Sequence, residues 1–345
     1  MQETTIDDVA KLAGVSRATA GRVVGNYGSV SEKTREKVMK AVRQLDYQPN
    51  LIARGLRSHT TKTIALIVGS IKNNYSNALV YAVEKEAQKK GYNVIICNTH
   101  ESEEKEMQHL KSLNSRKVDG VILMSSYKAG KEVGKELMGL YMGKLPIVFV
   151  DREVPGVRRD IIQSDNFQAS YDATNYLIEM KHRKIGVIAT ANFPTVQERI
   201  YGYKEALKKS GIEIDETLIA EVKGLDEKES QMKTEELLDR HSDITALYVL
   251  NNSLSIGVLM ELKKRKINVP SDISLLVWDD EEFNEFLDIT TVVQPIEEIG
   301  RQATKRLFEL IGETDTEPEY KCMRLKTELV MRNSCCPPLR ECNSQ

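Results

Sequence analysis

Residues 5–24 read TIDDVAKLAGVSRATAGRVV, and this stretch decides the fold of the N-terminal part of the chain. Thr5 can cap a helix in a capping-box arrangement with Asp8, and apolar residues then recur at positions 6, 9, 10 and 13 on one helical face. Gly14 tolerates the left-handed backbone that ends such a helix, and Ser16 can cap a second one. The stretch therefore predicts two short helices joined by a tight turn.

A third helix is predicted directly after this pair. Gly25-Asn26 ends the second helix, and Ser31 can cap the third, in which apolar residues at positions 38, 41, 42 and 45 repeat the same spacing. Two helices joined by a short glycine-containing turn are the signature of a helix-turn-helix unit. A three-helix module that binds another protein would show the same pattern of helices.

The second helix of a helix-turn-helix unit enters the DNA major groove, led by its N-terminal residues. Here these are Ser16, Arg17, Ala18 and Thr19, with Arg22 one turn later. An arginine can bond guanine in a bidentate way, and hydroxyl groups can bond phosphates. The charge distribution agrees, because residues 1–60 carry a net charge of +4 and the remainder carries −6. A basic head on an acidic body suits a polyanionic partner reached through the head.

From residue 63 onward the pattern changes to short apolar runs separated by stretches of helix length. This alternation predicts parallel sheets covered by helices on both faces, in two successive units. Two such lobes facing each other form a cleft beyond the carboxyl ends of their strands. The first series of runs is 64–68, 94–97, 118–124 and 147–150, and the second is 161–163, 185–189, 218–222, 246–250 and 273–277.

Several classes of protein are disfavoured by what the sequence lacks. It has no run of about 18 apolar residues and no secretory signal at its start, so we expect a cytoplasmic protein without a membrane span. No G-x-G-x-x-G or phosphate-binding loop follows a predicted strand, which argues against an enzyme and against a bound cofactor. The cysteines lack paired C-x-x-C spacing and are expected to be free thiols rather than metal ligands: Cys97, Cys322, Cys335, Cys336 and Cys342.

Residues 5–19, 22–24, 30–35 and 47–50 resemble the head of the LacI-GalR family of bacterial transcription regulators. The resemblance continues in the strings at 151–152, 164–166, 182–185, 199–202, 269–273, 278–280, 290–295 and 327–334, and thus covers residues 5 to about 334. One departure lies in the second helix, where Ala20-Gly21 replaces the usual Val-Ser and removes a hydroxyl that can reach phosphate.

The resemblance implies an α/β protein with an N-terminal all-α helix-turn-helix head and a two-lobed, periplasmic-binding-protein-like effector domain. The expected domains are residues 1–49 for the head, 50–62 for a hinge helix and linker, and 63–340 for effector binding and dimerisation. Lobe one is expected over about 63–162 and 292–324, and lobe two over about 163–291 and 325–340, with three chain crossings between them.

The hinge is expected to order on DNA, since so few residues do not form a stable helix alone. Leu56 stands where the family wedges a leucine into the minor groove and kinks the duplex, although it can also be a linker residue packed on the body. The DNA-binding residues that the resemblance and the helix pattern predict are Thr5, Ser16, Arg17, Ala18, Thr19, Arg22, Ser31, Tyr47, Asn50, Ala53 and Leu56.

Motif matching places a set of polar and aromatic residues at strand ends that face the cleft. Arg199 and Asp279 lead this set, because an arginine fork and a carboxylate can together hold neighbouring hydroxyls of a sugar. Trp278 ends an apolar strand and is expected in the core rather than in the cleft wall. The remaining predicted effector contacts are Ser70, Asn73, Tyr75, Ser125, Asp151, Phe193, Thr195, Asn251 and Gln294.

The sequence thus predicts a ligand-controlled regulator that acts as a homodimer on palindromic operator DNA, most simply a repressor of carbohydrate-utilisation genes. The resemblance implies a sugar or sugar derivative as effector, whose binding alters the orientation of the lobes and hence the affinity for DNA. A regulator whose body binds a partner protein, as well as or instead of a sugar, is the alternative. The pattern does not distinguish an inducer from a corepressor.

Overall fold

The computed structural model describes residues 4–25, 27–47, 60–190, 192–312 and 320–338. The chain forms two compact units, one comprising Met1–Thr63 with Lys117–Asp119 and the other comprising the rest. We call these units the head and the body. No helix in the described ranges is long and apolar enough to cross a lipid bilayer.

In the described residues of the head, three helices surround a small apolar core. They are α1 (Ile6–Ala13), α2 (Arg17–Gly25) and α3 (Glu32–Gln44). Val9, Ala20, Val23, Val38 and Ala41 are buried against one another, so each helix contributes the residues that its periodicity predicted. The three predicted helices are therefore confirmed.

The turn between α1 and α2 follows from the residues at its ends. Thr5 and Asp8 exchange hydrogen bonds in the predicted capping box, which satisfies backbone N–H groups at the start of α1. Gly14 ends α1 in the left-handed region, with φ of 65°, where a glycine has no steric cost. The hydroxyl of Ser16 accepts from the N–H of Thr19 at 3.1 Å and so caps α2, as predicted.

The described part of the body contains two six-stranded sheets, and their strands follow the same spatial order. The first sheet contains, in chain order, β1 (Thr63–Val68), β2 (Asn93–Asn98), β3 (Gly120–Leu123), β4 (Ile147–Val150), β5 (Asp160–Ser164) and β11 (Cys322–Leu325). The second contains β6 (Ile185–Ala189), β7 (Ile219–Glu221), β8 (Ala246–Val249), β9 (Ser274–Trp278), β10 (Thr290–Val293) and β12 (Glu328–Val330). Numbered within each sheet, both have the order 6-5-4-3-1-2 across the sheet. The predicted pair of similar lobes is confirmed.

Helices cover these sheets, which explains why the strands read as continuous apolar runs. Strands β3, β4, β5, β6, β8 and β9 are buried along their whole length. The helices are α4 (Asn74–Lys89), α5 (Glu103–Ser115), α6 (Lys135–Tyr141), α7 (Asn166–Glu179), α8 (Pro194–Lys209), α9 (Glu227–Arg240), α10 (Ser255–Arg265), α11 (Glu282–Phe286) and α12 (Ile296–Gly312).

The chain passes between the two sheets three times. We call the first sheet with its helices lobe one and the second with its helices lobe two. The passages follow β5, β10 and β11, and α12 returns to lobe one, where Ile299, Ala303 and Leu307 pack with the residues of β1. The carboxyl ends of the strands of both lobes meet at the cavity described below.

The structure differs from the sequence interpretation at three strands. Residues 161–163, which the apolar pattern groups with the second series, belong to β5, and β5 pairs with β4 and β11 in the first sheet. Residues 292 and 293, expected to begin the return to lobe one, belong to β10 in the second sheet. Strand β12 pairs with β10 in antiparallel fashion, whereas the pattern predicted parallel strands only.

Candidate functional site

Helix α2 presents a polar face to solvent on the side opposite the core of the head. Arg17, Ala18 and Arg22 are exposed on this face, while Ala20 and Val23 point inward. The guanidinium of Arg17 lies 3.3 Å from the carboxylate of Asp7, and both side chains remain more than half exposed. An ion pair this exposed contributes little to stability, so it leaves the arginine free to exchange Asp7 for another acceptor.

Two predicted DNA-binding residues at the edge of the head have structural partners of their own. Ser31 is the N-cap residue of α3, but its hydroxyl bonds to that of Thr34 at 2.9 Å and makes no bond to the helix backbone. Tyr47 is half-buried, packs against the core of the head and donates its N–H to the carbonyl of Val42 at 3.0 Å. The predicted hinge residues Asn50, Ala53 and Leu56 lie outside the described residues.

A cavity lies between the two lobes at the carboxyl ends of their strands. It holds about 480 Å³ of space free of protein atoms, part of it open to solvent. Ten of the eleven predicted effector contacts line it: Ser70, Asn73, Tyr75, Asp151, Phe193, Thr195, Arg199, Asn251, Asp279 and Gln294. Parallel strands bring these residues together because loops that follow neighbouring strands open at the same edge of a sheet.

Two hydrogen bonds and an aromatic ring hold Arg199 in the wall of the cavity. Its Nε donates to the amide oxygen of Asn166 at 2.9 Å, and its Nη1 donates to the carbonyl of Leu250 at 2.7 Å. The guanidinium also lies over the ring of Trp278, 3.8 Å from the centroid, which adds a cation–π contact. Trp278 itself is fully buried, as expected, and serves as the platform for the arginine.

Two aspartates occupy equivalent places in the two lobes. Asp151 follows β4 and Asp279 follows β9, and both adopt a left-handed backbone, with φ of 66° and 69°. Each backbone N–H donates to the carbonyl of a neighbouring strand, Asp151 to Ile162 at 3.1 Å and Asp279 to Val292 at 2.9 Å. Left-handed aspartates are uncommon and are kept where the surroundings fix them, often at binding sites.

Burial sets the protonation of both carboxyl groups. Desolvation raises the pKa of Asp279 to about 6, although the Arg199 cation and a hydrogen bond from Gln294 at 2.6 Å act in the opposite direction. Desolvation also raises the pKa of Asp151, against the attraction of Arg152 and Arg199. The cavity therefore holds strong hydrogen-bond acceptors whose charge is poorly solvated.

Arg152 and Glu101 also line the cavity, and the sequence interpretation did not select them. Arg152 donates to Glu101 through two nitrogens, at 2.5 and 3.0 Å, and lies 4.0 Å from the ring centroid of Phe193 in the other lobe. Arg152 directly follows Asp151, and this adjacency was the one signal in the sequence. The pairing of Arg152 with Glu101, about fifty residues earlier in the chain, could not be predicted from the spacing.

Ser125 is the one predicted effector contact that does not face the cavity. Its side chain is fully buried and bonds to the carboxylate of Glu106 at 3.3 Å and to the hydroxyl of Tyr141 at 3.0 Å. A buried carboxylate requires donors, and Glu106 recruits this hydroxyl together with the N–H of Ser126. Only the carbonyl of Ser125 supports the site, by accepting from Arg152 at 3.0 Å.

Models of known families match both units of the chain. Residues 5–50 match the model described as bacterial regulatory proteins, lacI family. Residues 61–327 match the model described as periplasmic binding proteins and sugar binding domain of LacI family.

Individual proteins of this kind match the chain over nearly its full length. The chain is 32% identical over 335 residues to the HTH-type transcriptional repressor PurR of Haemophilus influenzae (strain PittEE), covering 96% of this chain and 98% of that protein. It is 30% identical to a solved complex of the transcriptional regulator CelR with cellobiose, with a TM-score of 0.71 and coverage of 96% and 100%. A Lac repressor dimer bound to operator and the anti-inducer ONPF shares the fold at 22% identity, with a TM-score of 0.84 and coverage of 97% and 100%. The chain therefore belongs to the LacI family of bacterial regulatory proteins and is a ligand-responsive, DNA-binding transcription regulator.

Proposed function

We propose that the cavity between the lobes binds a neutral, polyhydroxylated effector, a sugar or sugar derivative, and thereby controls operator binding. The observation that carries this proposal is the convergence of Arg199, Asp151 and Asp279 on one cavity. The arginine can donate to hydroxyl oxygens, and the two carboxylates can accept from hydroxyl hydrogens. A sugar ring presents both kinds of group on neighbouring carbons, and the CelR relative was solved with cellobiose.

The charges around the cavity favour a neutral effector over a sugar acid or phosphate. The described lining includes the cations Arg152 and Arg199 and the anions Glu101, Asp151 and Asp279. With all five ionised the lining carries one excess negative charge, and Arg152 is already engaged by Glu101. Arg199 bonds only neutral groups among the described residues, but the excess negative charge of the lining opposes a further anion, which would also lose its hydration in this buried site.

The other lining residues complete a site for such a ligand. The aromatic rings of Tyr75 and Phe193 supply apolar surface for the faces of the sugar, and the hydroxyl of Tyr75 is buried without a hydrogen-bond partner among the described atoms. Further hydroxyl and amide groups give orientation: Ser70, Asn73, Thr195, Asn251 and Gln294.

For the head, we infer that Arg17, Ala18 and Arg22 face base edges of the operator, while Ser16 and Thr19 bond phosphates. The support is the exposed face of α2 and the short, exposed ion pair that Arg17 can exchange. A homodimer places two such helices on the half-sites of a palindrome, which brings the bound protein to the nucleoid. The effector acts by favouring one arrangement of the lobes over another.

A ligand screen on the full-length protein tests the effector site. We expect neutral mono- or disaccharides to raise the melting temperature, and sugar acids, sugar phosphates and nucleobases to leave it unchanged. Arg199→Ala should weaken binding of the active sugar by about 10- to 100-fold, since a hydrogen bond to a charged group is worth about 1.5–3 kcal/mol. Titration calorimetry measures the loss.

Two further variants control for indirect effects. Arg199→Lys retains the positive charge, yet it cannot bond Asn166 and Leu250 together, so it should also bind weakly while remaining folded. Arg301→Ala removes an exposed arginine that pairs with Glu298 on its own helix and should bind normally. A response confined to anionic compounds, or a full response in Arg199→Ala, contradicts the proposed site.

A further inference from the structure

Tyr27 lies across the exposed face of α2, in a groove made by two glycines. Gly21 and Gly25 stand one turn apart on the same stripe of the helix as Arg17. A Cβ added at Gly25 would come within 2.3 Å of Cε1 and 2.5 Å of Cδ1 of the tyrosine ring. A Cβ added at Gly21 would lie 3.5 Å from the phenol oxygen. The absence of both side chains therefore allows the ring to lie along the helix.

A backbone hydrogen bond holds Tyr27 at the end of α2, although its side chain is not buried. The N–H of Tyr27 donates to the carbonyl of Arg22 at 3.0 Å, which closes the end of the helix. Gly28 follows with φ of 73° and leaves room for the stem of Arg22, whose Cδ would lie 3.6 Å from a Cβ there. The side chain of Tyr27 is nevertheless about half exposed, at 48%. Its hydroxyl thus lies at the surface, beside position 21.

We propose that Tyr27 is a DNA-contacting residue of the head and that its phenol donates a hydrogen bond to a phosphate of the operator backbone. Tyrosine is one of the side chains that commonly bond phosphate oxygens. The hydroxyl of Tyr27 stands next to Gly21, whose own side chain offers no donor. Tyr27, two residues beyond the end of α2, therefore supplies the side-chain donor on this stretch of the helix face. This inference rests on the operator-binding role of α2 proposed above, and it adds a contact outside that helix.

The first test compares Tyr27→Phe with the unchanged protein on a duplex selected by the latter from random-sequence DNA. Losing one hydrogen bond should weaken binding about fivefold. Because a phosphate contact does not depend on sequence, the loss of affinity should be the same on selected and random duplexes. The slope of log affinity against log salt concentration should not change, because no charge is removed. Tyr201→Phe makes the same chemical change at an exposed tyrosine of α8 and should have no effect.

Gly25→Ala provides a second test that leaves the tyrosine in place. The added methyl displaces the ring, so DNA binding should fall about fivefold while helix content is unchanged or higher. In a Tyr27→Ala background, Gly25→Ala should cause no further loss of DNA affinity. In the same background, Gly21→Ser supplies a hydroxyl on the same face and should restore part of the lost binding.

Three results would overturn the inference: unchanged binding by Tyr27→Phe, a loss confined to the selected duplex, or an equal effect of Gly25→Ala with and without the ring. If the unchanged protein selects no sequence at all, it is the proposed operator-binding role of α2 that fails.

Discussion

Asp279 combines a buried carboxyl group with a pKa of about 6, and this makes the site sensitive to pH. The folded state raises the pKa above its ordinary value of 3.8, so the folded protein holds this proton more tightly than the unfolded chain does. The contribution of Asp279 to the free energy of unfolding should therefore rise as the pH falls through about 6 and should level off below 3.8.

Ligand affinity should respond to the same protonation in the opposite sense. A protonated Asp279 accepts hydrogen bonds from sugar hydroxyls less well, so affinity should fall as the pH drops below about 6. Titration calorimetry between about pH 5 and pH 8 measures this, and Asp279→Asn should bind weakly with most of the pH dependence removed. An unchanged pH profile in Asp279→Asn would assign the effect to another group.

At this scale the sequence predicted residues that a motif or a strand end marks, and it failed where partners come from elsewhere in the chain. Arg199 and Asp279 were found by motif and indeed line the cavity. Glu101 was not found, because its role depends on a fold that brings it within 2.5 Å of Arg152. The sequence predicted Ser125 in the cavity because it follows a strand, but its side chain bonds the buried carboxylate of Glu106 instead.

At the scale of elements, α7 and α8 pack closely because a glycine allows their contact. A Cβ at Gly202 would come within 2.3 Å of the carbonyl oxygen of Phe167 and 2.9 Å of the N–H nitrogen of Tyr171. Because both neighbours are backbone atoms, Gly202→Ala should force the helices apart and destabilise the protein by about 1–3 kcal/mol. Urea unfolding of the full chain measures the change.

Gly139 in α6 is the matched control for this substitution. No atom lies within 4 Å of a Cβ placed there, so Gly139→Ala should leave stability unchanged or raise it by about 0.5–1 kcal/mol through helix propensity. Equal effects of the two substitutions would show that helix packing does not depend on Gly202.

The sequence predicted the positions of the strands better than it predicted which strands pair in each sheet. Apolar runs located most strands of both sheets, because a strand covered on both faces must be apolar along its length. The same runs say nothing about which sheet a strand joins, and β5 was grouped with the wrong one. Its place is fixed by hydrogen bonds to β4 and β11, and β11 lies about 160 residues later in the chain.

At the scale of the whole body, a few polar contacts join the lobes around the cavity. The side-chain amide of Asn73 in lobe one donates to the hydroxyl of Ser253 in lobe two at 3.4 Å, and the N–H of Ala129 donates to the carbonyl of Asn192 at 2.9 Å. Beside the crossing strands, Arg324 of β11 forms a bidentate pair with Glu198 of α8, at 3.0 and 2.7 Å. We expect a ligand that touches both lobes to bind best when the lobes stand at this separation.

Glu198→Gln should therefore weaken effector binding although Glu198 does not line the cavity. The pair is about one-third exposed, so its loss should cost at most about 1 kcal/mol, or about fivefold in affinity, by reducing the population of the binding-competent arrangement. Glu235→Gln is the control, since Glu235 pairs at 2.7 Å with Lys264 inside lobe two and should leave affinity unchanged. Raising the salt concentration should reduce the difference in affinity between the unchanged protein and Glu198→Gln, because a partly exposed ion pair is screened. Unchanged affinity in Glu198→Gln would mean that the lobes hold their separation without this pair, and control of the cavity would then rest on the contacts at its rim.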